Sequence, residues 1–214
     1  MTNPMSLNWN KKIAAGGIGF LVACMGAFFG YEQLAENGLD DLPSKPCNGA
    51  VDRTTVANVL PDAKEAEERG THTEPGKEFK FYCSVKTDNG SILSAEAEAR
   101  DAHEKTWSTF YDQSRSGKKV EVSAGDAHAL SWPDFSAVYI PCTPPGRKAS
   151  EAVQSYALTV DARIIGKSRV RGNELRRALT SFALQVSEYA HEAGKCQESA
   201  TYPTTSPAID DNSY

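Results

Sequence analysis

The chain lacks a basic excess: 23 Lys and Arg stand against 28 Asp and Glu, for a formal net charge of −5. Dedicated nucleic-acid binders usually carry the opposite balance, so that class is set aside. It lacks Cys-x-x-Cys, the close ligand pair from which structural zinc sites are usually built. It also lacks Gly-x-Ser-x-Gly and His-Glu-x-x-His; His103-Glu104 runs on into Lys105, Thr106 and Trp107. Gly166-Lys167-Ser168 looks like the end of a phosphate loop, yet Asp161 stands where the first glycine is required. Without that glycine the backbone cannot wrap a phosphate. Histidines are few: His72, His103, His128 and His191. Only His128 falls on an expected core face, where a satisfied core histidine is the ordinary reading. Glu96 and Glu98 share one strand face, but that face is the solvated one. No catalytic residue, cofactor or metal ligand is assigned, which leans the reading away from an enzyme.

What the sequence does contain begins at its N-terminus. Residues 1–12 end in Lys11 and Lys12, and Ile13 to Tyr31 then run without a charge. As a helix this run spans about 28 Å, close to the thickness of a hydrocarbon core. Glu32, Glu36, Asp40 and Asp41 follow it. The lysine bias places the N-terminus in the cytoplasm and the remainder outside, in a cell-membrane protein with one transmembrane helix. Leu21-Val22-Ala23-Cys24 resembles a lipobox, in which Cys24 would be acylated, but the apolar run continues past it through Phe28, Phe29 and Tyr31. No good signal-peptidase site follows the run. The continuity favours an uncleaved helix over a lipoprotein or a released protein, and all three export the domain. Ala15, Gly19, Ala23 and Ala27 recur every four residues, a small-residue stripe that suits weak self-association of the helix.

Beyond the membrane run lie Cys47, Cys83, Cys142 and Cys196, an even set suited to disulfides in an oxidising compartment. Residues 32–46 read as a polar stalk, 47–196 as the extracytoplasmic domain, and 197–214 as a disordered tail rich in Ser, Thr, Pro and Asp.

The expected fold is α+β, an antiparallel sheet with packed helices. Phe79, Phe81, Cys83 and Val85 alternate with Lys80, Tyr82, Ser84 and Lys86, and Leu93, Ala95, Ala97 and Ala99 alternate with Ser94, Glu96 and Glu98. A loop closed by Gly90 pairs Val85 with Leu93 and Cys83 with Ala95, so the two apolar faces coincide. A helix follows, capped by Asp101 with Glu104 in capping-box position and an apolar stripe of Trp107, Phe110 and Tyr111. A second hairpin joins 119–123 to 127–132 across a three-residue loop, with Val120, Val122, His128 and Leu130 on one face. Strands at 135–142 and 153–164 precede a long helix over 173–193, which Gly194 ends in the left-handed conformation. A short helix covers 52–60. Two strands and a helix occur twice, at 79–114 and 136–193, as a duplication would leave them. Cys83 points to the core face and Cys47 precedes the helix that must cover it; Cys142 closes a later strand and Cys196 lies just past the last helix. The expected pairs are Cys47–Cys83 and Cys142–Cys196.

Arg163, Lys167, Arg169 and Arg171, with Arg176 and Arg177, face only Glu174 in their stretch. They could hold an anionic polymer or lipid headgroups, or form a solvated loop facing the acidic run Asp62–Glu68. The anchor, the acidic stalk, Leu42-Pro43-x-x-Pro46-Cys47 and the Cys-bounded domain together resemble uncharacterised exported proteins of actinobacteria, membrane- or lipid-anchored, with a Cys-bounded α/β domain. That resemblance is one of organisation. It implies an envelope protein and carries over no functional residue. The expected role is a non-catalytic domain that binds an unidentified envelope partner; the alternatives are an envelope hydrolase with a dispersed site and a lipoprotein that carries a lipid or small ligand.

The anchor is open to direct measurement. Intact-mass analysis of membrane-extracted protein should find residues 1–23 present and no acyl chain. A diacylated species beginning at Cys24 and abolished by Cys24→Ala would establish the lipoprotein instead.

Overall fold

The computed structural model describes residues 38–203. The N-terminal segment 1–12, the apolar run 13–31, Cys24, the stalk up to residue 37 and the tail from 204 lie outside the described residues. Among the described residues no helix is long and apolar enough to cross a membrane.

Among the described residues the fold is α+β, with one seven-stranded antiparallel sheet and three α-helices. In chain order these are α1 (Arg53–Val59), β1 (Ala66–His72), β2 (Lys80–Thr87), β3 (Ile92–Asp101), α2 (Glu104–Ser114), β4 (Val120–Ala124), β5 (Ala127–Ser131), β6 (Phe135–Pro141), β7 (Tyr156–Ile165) and α3 (Gly172–Ala193). The strands lie in the order β1-β2-β3-β7-β6-β5-β4.

Alternation decides which side chains meet. In the β2–β3 hairpin Cys83 pairs with Ala95 and Val85 with Leu93, and Gly90 takes the left-handed conformation (φ 83°) that the turn needs. These residues build the inner face. Along β3 and β7 that face is floored by Ala95, Ala97, Val160 and Ala162, small enough to seat Leu179, Phe182, Val186 and Ala190 of α3, with Val56 and Val59 of α1 beside them. The outer face is covered only in part. Trp107 and Tyr111 of α2 pack there on Leu130, Trp132, Phe135, Ala137, Tyr139 and Ala157. Phe110, expected in the same stripe, is exposed. Since α2 and α3 cover opposite faces, the two strand–strand–helix units are not related by the two-fold that a simple duplication about the β3–β7 seam would leave.

Several expectations are corrected. β1 was not foreseen at all: its sequence AEERGTH has no apolar alternation, and it forms because an edge beside β2 is open to it. The β4–β5 turn has two residues, Gly125 and Asp126, not three, since Ala124 pairs with Ala127. That single-residue difference turns His128 and Leu130 away from Val122, which pairs with Ala129 instead. The cap of α2 is His103, whose Nδ1 accepts from the Lys105 N–H (3.1 Å). Asp101 serves elsewhere, accepting the N–H groups of Val153 and Gln154, which hold its carboxyl below the usual range. At the end of α3 the left-handed residue is Lys195, not Gly194. Gly194 is needed for space, because a Cβ there would lie 3.0 Å from the Phe79 ring.

The folded unit is also larger than its cysteine bounds. Leu39 and Leu42 are buried in the core, so the end of the stalk belongs to the domain. Residues 197–203 form a strap rather than a loose tail. Glu198 accepts from the N–H and Oγ1 of Thr143 (both 2.6 Å), Asp126 accepts from the N–H and Oγ1 of Thr201, and Tyr202 meets Ser187.

Two disulfides, Cys47–Cys83 and Cys142–Cys196, close loops of 36 and 54 residues. In the chain-entropy account each restricts the unfolded chain by about 4 kcal/mol. Cys47–Cys83 draws the lead-in segment hard against β1: a Cβ on Gly70 would stand 2.5 Å from the Cys47 carbonyl carbon. Gly70→Ala should therefore cost roughly 2 kcal/mol in urea denaturation. In a Cys47→Ala, Cys83→Ala background, where the segment can yield, the same change should cost clearly less. An equal cost in both would show that the disulfide does not impose the close approach.

Candidate functional site

The sequence's basic stretch does not form one surface. Strand alternation sends Ala162 to the inner core and leaves Arg163 on the outer face, opposite Ser94 and Phe135. The chain then turns at Gly166 (φ 88°), and the Lys167 N–H donates to Ser91 Oγ (3.2 Å) while its side chain remains exposed. Arg171 is the exposed N-cap residue of α3 and makes no side-chain cap bond. Arg169 is held along one edge: its Nε donates to the Leu60 carbonyl (3.2 Å) and its Nη2 pairs with the Asp62 carboxylate. The acidic run thus takes up one of the cations, as the solvated-loop alternative requires.

Arg176 and Arg177 are neighbours with different fates. Arg176, named with the basic stretch, is buried, 5% exposed. Its Nη1 donates to the Ser131 carbonyl and its Nη2 to the Lys118 carbonyl, each at 2.8 Å, tying α3 to the β4–β5 end of the sheet. Arg177 faces the other way, into a groove of about 250 Å3 between α1 and α3.

That groove is lined by Thr55 and Asn58 from α1, Glu174, Arg177, Ala178 and Ser181 from α3, and Arg169 and Val170 from the loop before α3. The spacing explains the set: 174, 177, 178 and 181 share one helical face. The walls are clamped by Gln185, whose Nε2 donates to Thr55 Oγ1 (3.0 Å) and whose Oε1 accepts the Asp52 N–H (2.8 Å). A guanidinium already fixed along one edge loses little freedom on receiving a ligand at another. With the hydroxyl of Thr55 and the amide of Asn58, this arrangement can donate to an oxyanion; Glu174 limits how much negative charge it accepts.

Other titratable residues sit apart from this groove. His128 is half-buried on the outer face, 2.6 Å from Glu104 through Nδ1 and beside the Trp107 ring. Glu98 pairs with Lys80 (2.8 Å) and Arg100. Partial burial pushes its pKa up, but the hydrogen bond from Lys80 and the two positive charges outweigh that and hold it low. Glu96 is exposed on the same face. Among the described residues no group of three or more His, Cys, Asp or Glu could hold a metal ion.

Of the basic residues expected from sequence, Arg169 and Arg177 lie on the groove, while Arg163, Lys167, Arg171 and Arg176 do not. Thr55, Asn58 and Ser181 were missed, because α1 and α3 stand more than a hundred residues apart and nothing local marks their contact. No protein-family model, curated protein or solved structure matches the chain.

The two neighbouring arginines make a direct test of this geometry. Arg176→Met should lower stability by roughly 3 kcal/mol, since it removes two charge-assisted bonds and leaves two carbonyls unsatisfied. Arg177→Met should cost less than about 1 kcal/mol. Urea denaturation of both variants checks the pair, and equal losses would contradict the assignment.

Proposed function

We propose that the chain is a membrane-tethered extracytoplasmic domain that acts by binding an anionic group on an envelope partner rather than by catalysis. Two disulfides support the compartment, because such bonds persist where the surroundings are oxidising. The charge-free run from Ile13 to Tyr31, preceded by Lys11 and Lys12, supports the tether and its orientation. The observation that carries the binding role is the α1–α3 groove, where Arg169 and Arg177 stand with hydroxyl and amide donors on walls clamped by Gln185. Its lining is polar and charged, which favours a charged group over a lipid chain.

The test uses the full-length protein in discs of zwitterionic lipid and a linear phosphodiester polymer, poly(glycerol phosphate). Binding should weaken as salt is raised, and Arg169→Ala with Arg177→Ala should weaken it about tenfold or more. Absence of binding at low salt, or undiminished binding by the double variant, would overturn the proposal.

A further inference from the structure

We infer a second, separate site on the outer face of the sheet, where Arg115 and Arg163 come together beside Tyr111 and Asp161 to receive a monoanionic oxyanion, a carboxylate or a phosphodiester. Arg163 lies directly across β7–β6 from Phe135. Side chains so paired start about 5 Å apart. The Arg115 guanidinium, from the residue that ends α2, lies 3.3 Å above the centroid of that same Phe135 ring and 5.9 Å from that of Trp132. The two cations are thus brought to one place by a helix end and a central strand.

Their anionic neighbours do not satisfy them. Asp161, half-buried on β7, accepts the Tyr111 hydroxyl through Oδ1. Asp134 is loose and exposed, 3.9 Å from Arg115. Arg163 is exposed and has no ion-pair partner among the described residues. Arg100, the third cation near Asp161, is engaged by Glu98. Burial is what chiefly disfavours the charge on Arg115; Asp134 and Asp161 offset that only in part, and Arg163 adds a smaller repulsion. Stacked flat on an aromatic ring, a guanidinium keeps its N–H edges available. An oxyanion bridging the two edges would relieve the repulsion and accept paired charge-assisted bonds.

The same neighbours set the charge of the ligand. Asp161 and Asp134 beside the cations disfavour a dianion, so a carboxylate or phosphodiester fits better than a phosphate monoester. Desolvation raises the Asp161 pKa even against three nearby arginines, which marks its charge as the costly one in the cluster. Neutralising it should therefore help the ligand. The site is independent of the α1–α3 groove, sharing no residue with it.

The experiment follows the arginine Nε resonances of the full-length protein in neutral detergent by NMR. Three probes are titrated: glucuronate, dimethyl phosphate and inorganic phosphate at slightly alkaline pH. Glucuronate or dimethyl phosphate should shift the Arg115 and Arg163 signals saturably, and whichever binds more tightly identifies the natural group as carboxylate or phosphodiester. Arg163→Ala, an exposed change, should weaken binding about tenfold. Asp161→Asn, which keeps an acceptor for Tyr111, should strengthen it, and Arg169→Ala should leave it unchanged. Silence from both monoanions, tighter binding of inorganic phosphate, or an Asp161→Asn protein that binds no better would each overturn the inference.

Discussion

The ladder between β3 and β7 is the constraint on which the rest of the structure depends. It runs from Ile92 opposite Ile165 to Asp101 opposite Tyr156, joining segments more than fifty residues apart in sequence. On one side of it lie β1 and β2, and on the other β6, β5 and β4. Without it the sheet would fall into two ribbons, each too small to cover α3. Its inner residues, among them Ala95, Ala97, Val160 and Ala162, are small because α3 lies across them. Its outer residues include Asp161 and Arg163, so one ladder both seats the main helix and places charged groups on the opposite face.

The loose ends are fastened to this centre by covalent and polar clamps. Cys47–Cys83 joins the lead-in segment to β2, next to the seam, and Cys142–Cys196 joins the end of β6 to the end of α3. Both lie where a chain end would otherwise fray. The strap from 197 to 203 then depends on carboxylates: Glu198 and Asp126 are held below the usual range, the first against partial burial by its bonds from Thr143, the second chiefly by Thr201. A carboxyl whose pKa is lowered on folding stabilises the fold above its unfolded pKa and loses that contribution as pH falls through the folded value. The strap should accordingly lose these two contributions as acid protonates Glu198 and Asp126.

How much of this was legible in the residues depended on where each interaction was closed. The β2–β3 hairpin could be read fully, register included, because its alternation and Gly90 lie within twenty residues. The long α3 stripe was equally plain. β1 could not be read, since Glu68 and Gly70 mean nothing until Cys47 is brought beside them: the Glu68 carboxylate takes the Cys47 N–H (2.7 Å). Arg176 looked like a surface cation because its acceptors, the carbonyls of Ser131 and Lys118, come from distant parts of the chain. Asp161 did leave a sign, an acidic residue within a mostly apolar strand that also carries Thr159 and Arg163, which burial makes costly and therefore informative. A run of positive charge, by contrast, proved a poor guide to a surface: strand, turn and helix geometry sent its members in different directions.

The two disulfides fasten the lead-in segment and the end of α3 to the sheet, and the proposed extracytoplasmic role rests on them. Non-reducing peptide mapping of the full-length protein taken from native membranes, with free thiols blocked at lysis, tests it most directly. The account predicts linked peptides joining Cys47 to Cys83 and Cys142 to Cys196. Free thiols at all four positions, or a peptide joining Cys83 to Cys142 or Cys196, would contradict it.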